Sequence, residues 1–192
     1  MIKKLPRLML FGLMALSAVV MASPVDNDES GTFPADMCSY SPCQHDIHIT
    51  IKRKDGSVFN TTFNNLPGAV QPISLAVVAG QVLNFEAAIE NGKIVNYKLV
   101  EQVTSPEKTI FASFAQSDDG QMILTIRNPF DVAIKFDMAI MQLDSEKILK
   151  TSSCPIIPKG SSYEMWPEPL FQVLLLNGRT VEFKDKVDCS SF

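Results

Sequence analysis

The chain has 192 residues, 46% of them hydrophobic and 20% charged, and its formal net charge at neutral pH is −4. That acidic balance, with no cluster of lysine and arginine, argues against phosphate-driven nucleic-acid binding and against attraction to an anionic lipid surface. The length can bury one substantial core or two small ones.

The chain starts with Lys3, Lys4 and Arg7, continues as an apolar run from Leu8 to Val20 and leaves through Val20-Met21-Ala22. This is the build of an export signal over 1–22. The run is shorter than the roughly 20 residues a membrane-spanning helix needs, so cleavage is expected rather than anchoring, with no membrane insertion afterwards. Removing Lys3, Lys4 and Arg7 takes the formal charge from −4 to −7. The paired lysines and short apolar core have a bacterial composition, which points to a periplasm or the cell exterior. Residues 23–37, rich in Asp, Ser and Pro, read as a disordered acidic leader.

Beyond the leader the apolar period is 2, that of strands. Ile47, Ile49 and Ile51 alternate with polar residues and lead through Asp55-Gly56 to Phe59 and Phe63. Leu83, Phe85, Ala87 and Ile89 are joined by Asn91-Gly92 to Val95, Tyr97 and Leu99. Both residues of an Asn-Gly pair tolerate the positive φ of a type I′ turn, so a hairpin is expected there. The polar stretch Thr104 to Lys108 separates an N-terminal β-region, 38–104, from a C-terminal β-sandwich domain, 109–189. In the second part, Met122, Leu124 and Ile126 precede Asn128-Pro129-Phe130-Asp131, which has the chemistry of a tight turn, and Val132 to Ile140 alternates again, so these two strands are expected to pair. A last hairpin is expected at Asn177-Gly178, between Phe171 to Leu176 and Val181 and Phe183. The two Asn-Gly segments, 91–98 and 177–184, share the pattern Asn-Gly-basic-x-Val-x-aromatic-Lys, a likeness that turn chemistry accounts for without duplication. The fold class expected is all-β: an immunoglobulin-like antiparallel β-sandwich over about 109–184, with the N-terminal half a second small β-domain or an extension of the same sandwich.

In an oxidising compartment the four cysteines read as two disulfides. A short loop costs least entropy to close, which favours Cys38 with Cys43 and leaves Cys154 for Cys189. The string Cys38, Cys43, His45, His48 also carries zinc or copper ligand types. Oxidation would remove its thiolates, and alternation along a strand sends His48 outward, away from His45, so no metal and no cofactor are expected. Met138 and Met141, three apart on a strand, fall on opposite faces, with Met138 in the core. Trp166 and Tyr163, beside Met165, Pro167 and Pro169, are candidates for partner contact; for Trp166 the weightier reading is a plug at the end of the sandwich.

The sequence holds no Gly-x-Ser-x-Gly elbow, no phosphate-binding glycine loop and no His-Glu-x-x-His, and its two histidines leave little choice of imidazole base. In compartment, size and strand content the chain resembles pilus subunits, and in its two strand-rich halves pilus chaperones, a resemblance that implies a fold class and not a function. The functional expectation is a non-enzymatic exported protein engaging a protein partner through loops or a strand edge. The alternatives are a secreted carboxylate-dependent hydrolase and a periplasmic metal-binding protein.

Overall fold

The computed structural model describes residue 38 and residues 42–145, 147–182 and 189–190; the export signal and leader expected over 1–37 lie outside them. Among the described residues there are eleven strands and no α-helix: β1 (Cys43–Lys52), β2 (Val58–Pro67), β3 (Ser74–Val78), β4 (Val82–Glu90), β5 (Lys93–Leu99), β6 (Thr109–Gln116), β7 (Met122–Arg127), β8 (Ile134–Gln142), β9 (Ile148–Thr151), β10 (Ser161–Trp166) and β11 (Leu170–Thr180). No helix among these residues is long and apolar enough to cross a membrane. Every strand pairing is antiparallel.

Strands β3 to β11 form one sheet in the order β10-β7-β6-β4-β5-β11-β8-β9, with β3 on the other side of β11. The sheet curls on itself as a β-sandwich. One layer is β10-β7-β6-β4-β5, the other β3-β11-β8-β9, and they are joined by the single pair Arg179↔Lys93 and the hydrogen bond from Thr180 N–H to Gly92 O, 2.8 Å. Strands from both sides of the polar stretch at 104–108 therefore lie side by side, β4 beside β6 and β3 beside β11.

Alternation decides which residues close the interior. Phe85 on β4, Ile110, Ala112 and Phe114 on β6, and Met122, Leu124 and Ile126 on β7 face Val77, Ile134, Phe136, Met138, Val173 and Leu175 of the other layer, all essentially inaccessible to water. The hairpin β1–β2 adds Ile49, Ile51, Phe63 and Leu66 to the same continuous core. It is held to the end of β6 by the Gln116 side chain, whose amide imitates a strand: Lys52 N–H donates to Gln116 Oε1 at 2.8 Å and Gln116 Nε2 donates to Lys52 O at 2.9 Å.

The turns expected at Asp55-Gly56 and Asn91-Gly92 form, with positive φ at Gly56, Asn91 and Gly92. The hairpin expected at Asn177-Gly178 does not: β11 runs straight through it as a β-bulge between Leu176 and Arg179. Asn177 takes the positive φ, 48°, and its Nδ2 donates to Asp137 Oδ2 at 2.8 Å. Gly178 is needed because a Cβ there would lie 2.7 Å from the Phe136 ring and against the Tyr97 hydroxyl. The bulge bends β11 out of one layer into contact with β5 in the other, so the same dipeptide that closes a hairpin here turns a corner.

The expected pairing of Met122–Ile126 with Val132–Ile140 is also overturned. β7 pairs with β6 and β10, β8 with β11 and β9. The turn chemistry at 128–131 is correct, with Phe130 N–H donating to Asn128 Oδ1 at 2.9 Å, but the connection crosses from one layer to the other.

Candidate functional site

The cysteines join Cys38 to Cys43 and Cys154 to Cys189. With the thiolates consumed, the histidines stand alone. His48 lies on the exposed face of β1 between Thr62 and Thr50, at 3.0 and 3.2 Å, and His45 lies 2.9 Å from Asn65 Oδ1, also exposed. Among the described residues no group of three metal-ligand side chains comes together. Met138 is in the core and Met141 is on the opposite face of β8.

Tyr163 and Trp166 are separated by the pleat of β10. Trp166 turns inward, its ring edge-on to Phe114 at 6.2 Å between centroids and its Nε1 donating to Thr151 Oγ1 at 3.1 Å. Tyr163 turns outward and is 65% exposed. The alternation along this strand is inverted over 162–165. Ser162 and Glu164 point inward, beside the core residues Ile126 and Leu124 of β7, while the solvent side carries Tyr163 and Met165, the latter 61% exposed. An edge strand selected only for folding puts its apolar residues inside and its polar ones outside.

The strand register places these side chains in a larger surface. One row across the outer face reads Tyr163, Thr125, Ser113, Val82; the next reads Met165, Ile123, Ala115; the one on the other side reads Ser161, Arg127, Phe111, Asn84. Val82 is 60% exposed, and Phe111 and Ile123 are half-buried. Arg127 lays its guanidinium over the Phe111 ring at 5.4 Å. The face thus mixes Tyr163, Met165, Ile123, Ala115, Phe111 and Val82 with Thr125, Ser113, Ser161 and Asn84, and carries a cation at one rim. Beside it, β10 pairs only with β7 among the described residues, so half of its backbone donors and acceptors point outward from the sheet.

On the inner side of β10, burial raises the Glu164 carboxyl above its ordinary range, partly offset by the Cys154 N–H donating to it at 3.1 Å. A carboxyl whose folded pKa lies above its unfolded one costs stability once it ionises, and the cost vanishes below the unfolded value. Glu164→Gln is therefore expected to stabilise the protein at pH 7, by less than about 1 kcal/mol or roughly 2–3 °C in Tm, with the gain disappearing near pH 4. Thermal melts of both proteins across that range check this.

A second feature lies where the β1–β2 hairpin meets the sandwich. Phe59 and Phe63 of β2, Phe171 of β11, and Met141 and Leu143 at the end of β8 line a cleft of about 570 Å³, together with Asp144 and Ser145. The three rings form a wall, Phe59 to Phe63 at 6.3 Å and Phe63 edge-on to Phe171 at 5.4 Å. The hairpin turn is latched across the neighbouring surface: Arg53 grips Asp144 through two hydrogen bonds, 3.1 and 3.0 Å, and Lys54 meets Glu168 at 2.7 Å. Sequence reasoning does not single out this cleft, because its lining comes from three distant segments, nor Val82, Ile123 and Phe111, whose apolar character reads as core until the register is known.

No family model, no curated protein and no solved structure matches the chain.

Proposed function

We propose that this is an exported, non-enzymatic binding or assembly protein on a disulfide-stapled, immunoglobulin-like scaffold, and that it engages a protein partner through the outer face and free edge of β10. The inverted alternation over 162–165 carries the reading: Tyr163 and Met165 contribute nothing to the interior, and they sit beside the strand edge that, among the described residues, has no pairing partner. Strand addition at the edge would supply main-chain hydrogen bonds, and the aromatic side chains on the adjoining face would supply specificity. Two disulfides fit a periplasmic or extracellular address. Asp144, on the cleft lining, is paired with Arg53, and Glu168, on the neighbouring surface, with Lys54, so no observation favours the carboxylate-hydrolase alternative.

The test is affinity capture from the exported fraction with the wild-type chain and with Tyr163→Asp/Met165→Asp. The double variant is expected to keep its Tm within about 3 °C, since both side chains are mostly solvent-exposed, and to lose the partner recovered by the wild type. Equal recovery by both proteins, or turnover of an ester or glycan library without any partner, overturns the reading.

A further inference from the structure

We propose that the cleft walled by Phe59, Phe63 and Phe171 on one side and Met141 and Leu143 on the other binds a small, uncharged hydrophobic molecule of two or three rings or equivalent aliphatic bulk. This site is separate from the β10 face and does not depend on it.

The cleft volume, about 570 Å³, falls within the range of small-molecule sites, roughly 300–1,000 Å³. The floor is Phe63 and Phe171, each less than a tenth exposed, so a ligand would leave water on reaching it. Aromatic faces and edges on one wall and flexible Met141 with Leu143 on the other accept a flat or branched apolar body without demanding a single shape.

The rim decides the charge of the occupant. Arg53 is spent on Asp144 through paired hydrogen bonds and stands over the Phe59 ring at 5.5 Å, while Lys54 is spent on Glu168. Asp144 is the one charged side chain on the cleft lining, and Arg53 already neutralises it, so neither an anionic nor a cationic head finds an uncompensated partner there. A neutral ligand leaves both latches closed, and the latches hold the Phe59–Phe63 wall in place over it.

The experiment titrates the full chain with two probes of the same ring system, neutral N-phenyl-1-naphthylamine and its sulfonated counterpart 8-anilino-1-naphthalenesulfonate, read by fluorescence. The neutral probe is expected to saturate at one per chain with a blue-shifted emission, and to bind at least tenfold tighter than the sulfonate. Leu143→Trp, which fills the cleft from its partly exposed end, is expected to weaken the neutral probe at least tenfold, and Ser145→Trp serves the same purpose should the first variant fold poorly. Tyr163→Asp/Met165→Asp is expected to leave the probe affinity unchanged. No saturable binding, equal affinity for the two probes, or loss of binding in the β10 variant with retention in a folded cleft variant would overturn the proposal. None of these outcomes bears on partner capture by β10, so the two readings fail separately.

Discussion

Asn128→Ala is expected to lower the unfolding free energy by about 4 kcal/mol, enough to shift the thermal midpoint by roughly 8–15 °C. Asn128 is only 1% exposed and satisfies groups on two pieces of chain, its own loop at 130–132 and the segment at 156–157. Its Oδ1 accepts from Phe130 N–H, and its Nδ2 serves Val132 O at 2.8 Å, Ile157 O at 3.0 Å and Ile156 O at 3.2 Å. Truncation removes every one of these partners at once, and a buried donor or acceptor left without a partner costs about 1–3 kcal/mol. The effect also reaches the proposed binding face. The Asn128 hub holds the layer-crossing connection between β7 and β8 against the segment 156–160, which delivers the chain into β10, with Asn128 N–H donating to Gly160 O at 2.9 Å. Asn128→Asp separates lost bonds from lost shape. It keeps the acceptor but turns a charged oxygen toward three carbonyls, so at pH 7 it is expected to be at least as destabilised as the alanine variant. Its carboxyl would have a raised folded pKa, so stability is expected to return as pH falls toward 4, whereas the alanine variant shows no such recovery relative to wild type. Chemical denaturation of the three proteins at pH 7 and pH 4 checks both statements.

The second large effect belongs to the longer disulfide. Cys154 and Cys189 are 35 residues apart in sequence, Cys38 and Cys43 only five. Constraint of the unfolded chain grows with the logarithm of the loop, giving about 4 kcal/mol for the first bridge and about 2 kcal/mol for the second. Cys154→Ser/Cys189→Ser is therefore expected to lose about twice the stability of Cys38→Ser/Cys43→Ser, measured as urea midpoints at constant m-value. The longer bridge also fixes the segment entering β10. The N–H of Cys154 is the donor to Glu164 on that strand's inner face, so loss of the bridge loosens the strand from behind.

Local chemistry was legible in the sequence and partner choice was not. Asp55-Gly56 and Asn91-Gly92 close their hairpins because the residues that need positive φ are adjacent to the strands they join. Asn177-Gly178 has the same two residues in a bulge, since what decides between turn and bulge is whether Arg179 and Thr180 find Lys135 and Ile134 across the sheet, a contact some 45 residues away. Asn128 was legible as a turn residue for the same local reason, while the destination of the strands beside it was set by burial in two different layers. Strand β6 hides its period because Phe111 and Ala115 on the outer face are as apolar as Ile110 and Phe114 on the inner one. Of that face, Tyr163 stood out by its neighbours. Met165, Ile123, Phe111 and Val82 became part of it only when the register placed them in adjacent rows, and the cleft required three segments to meet.

On the reading proposed above, Tyr163 and Met165 are on the surface for a partner and not for the fold. The most direct measurement compares the wild-type chain with Tyr163→Asp/Met165→Asp for binding to the partner recovered from the exported fraction, with Tm recorded on the same samples. A loss of affinity of at least a hundredfold, about 2.7 kcal/mol, at unchanged Tm is the result expected for two side chains at the centre of an interface. Undiminished affinity at unchanged Tm would contradict it, and would move the site away from β10.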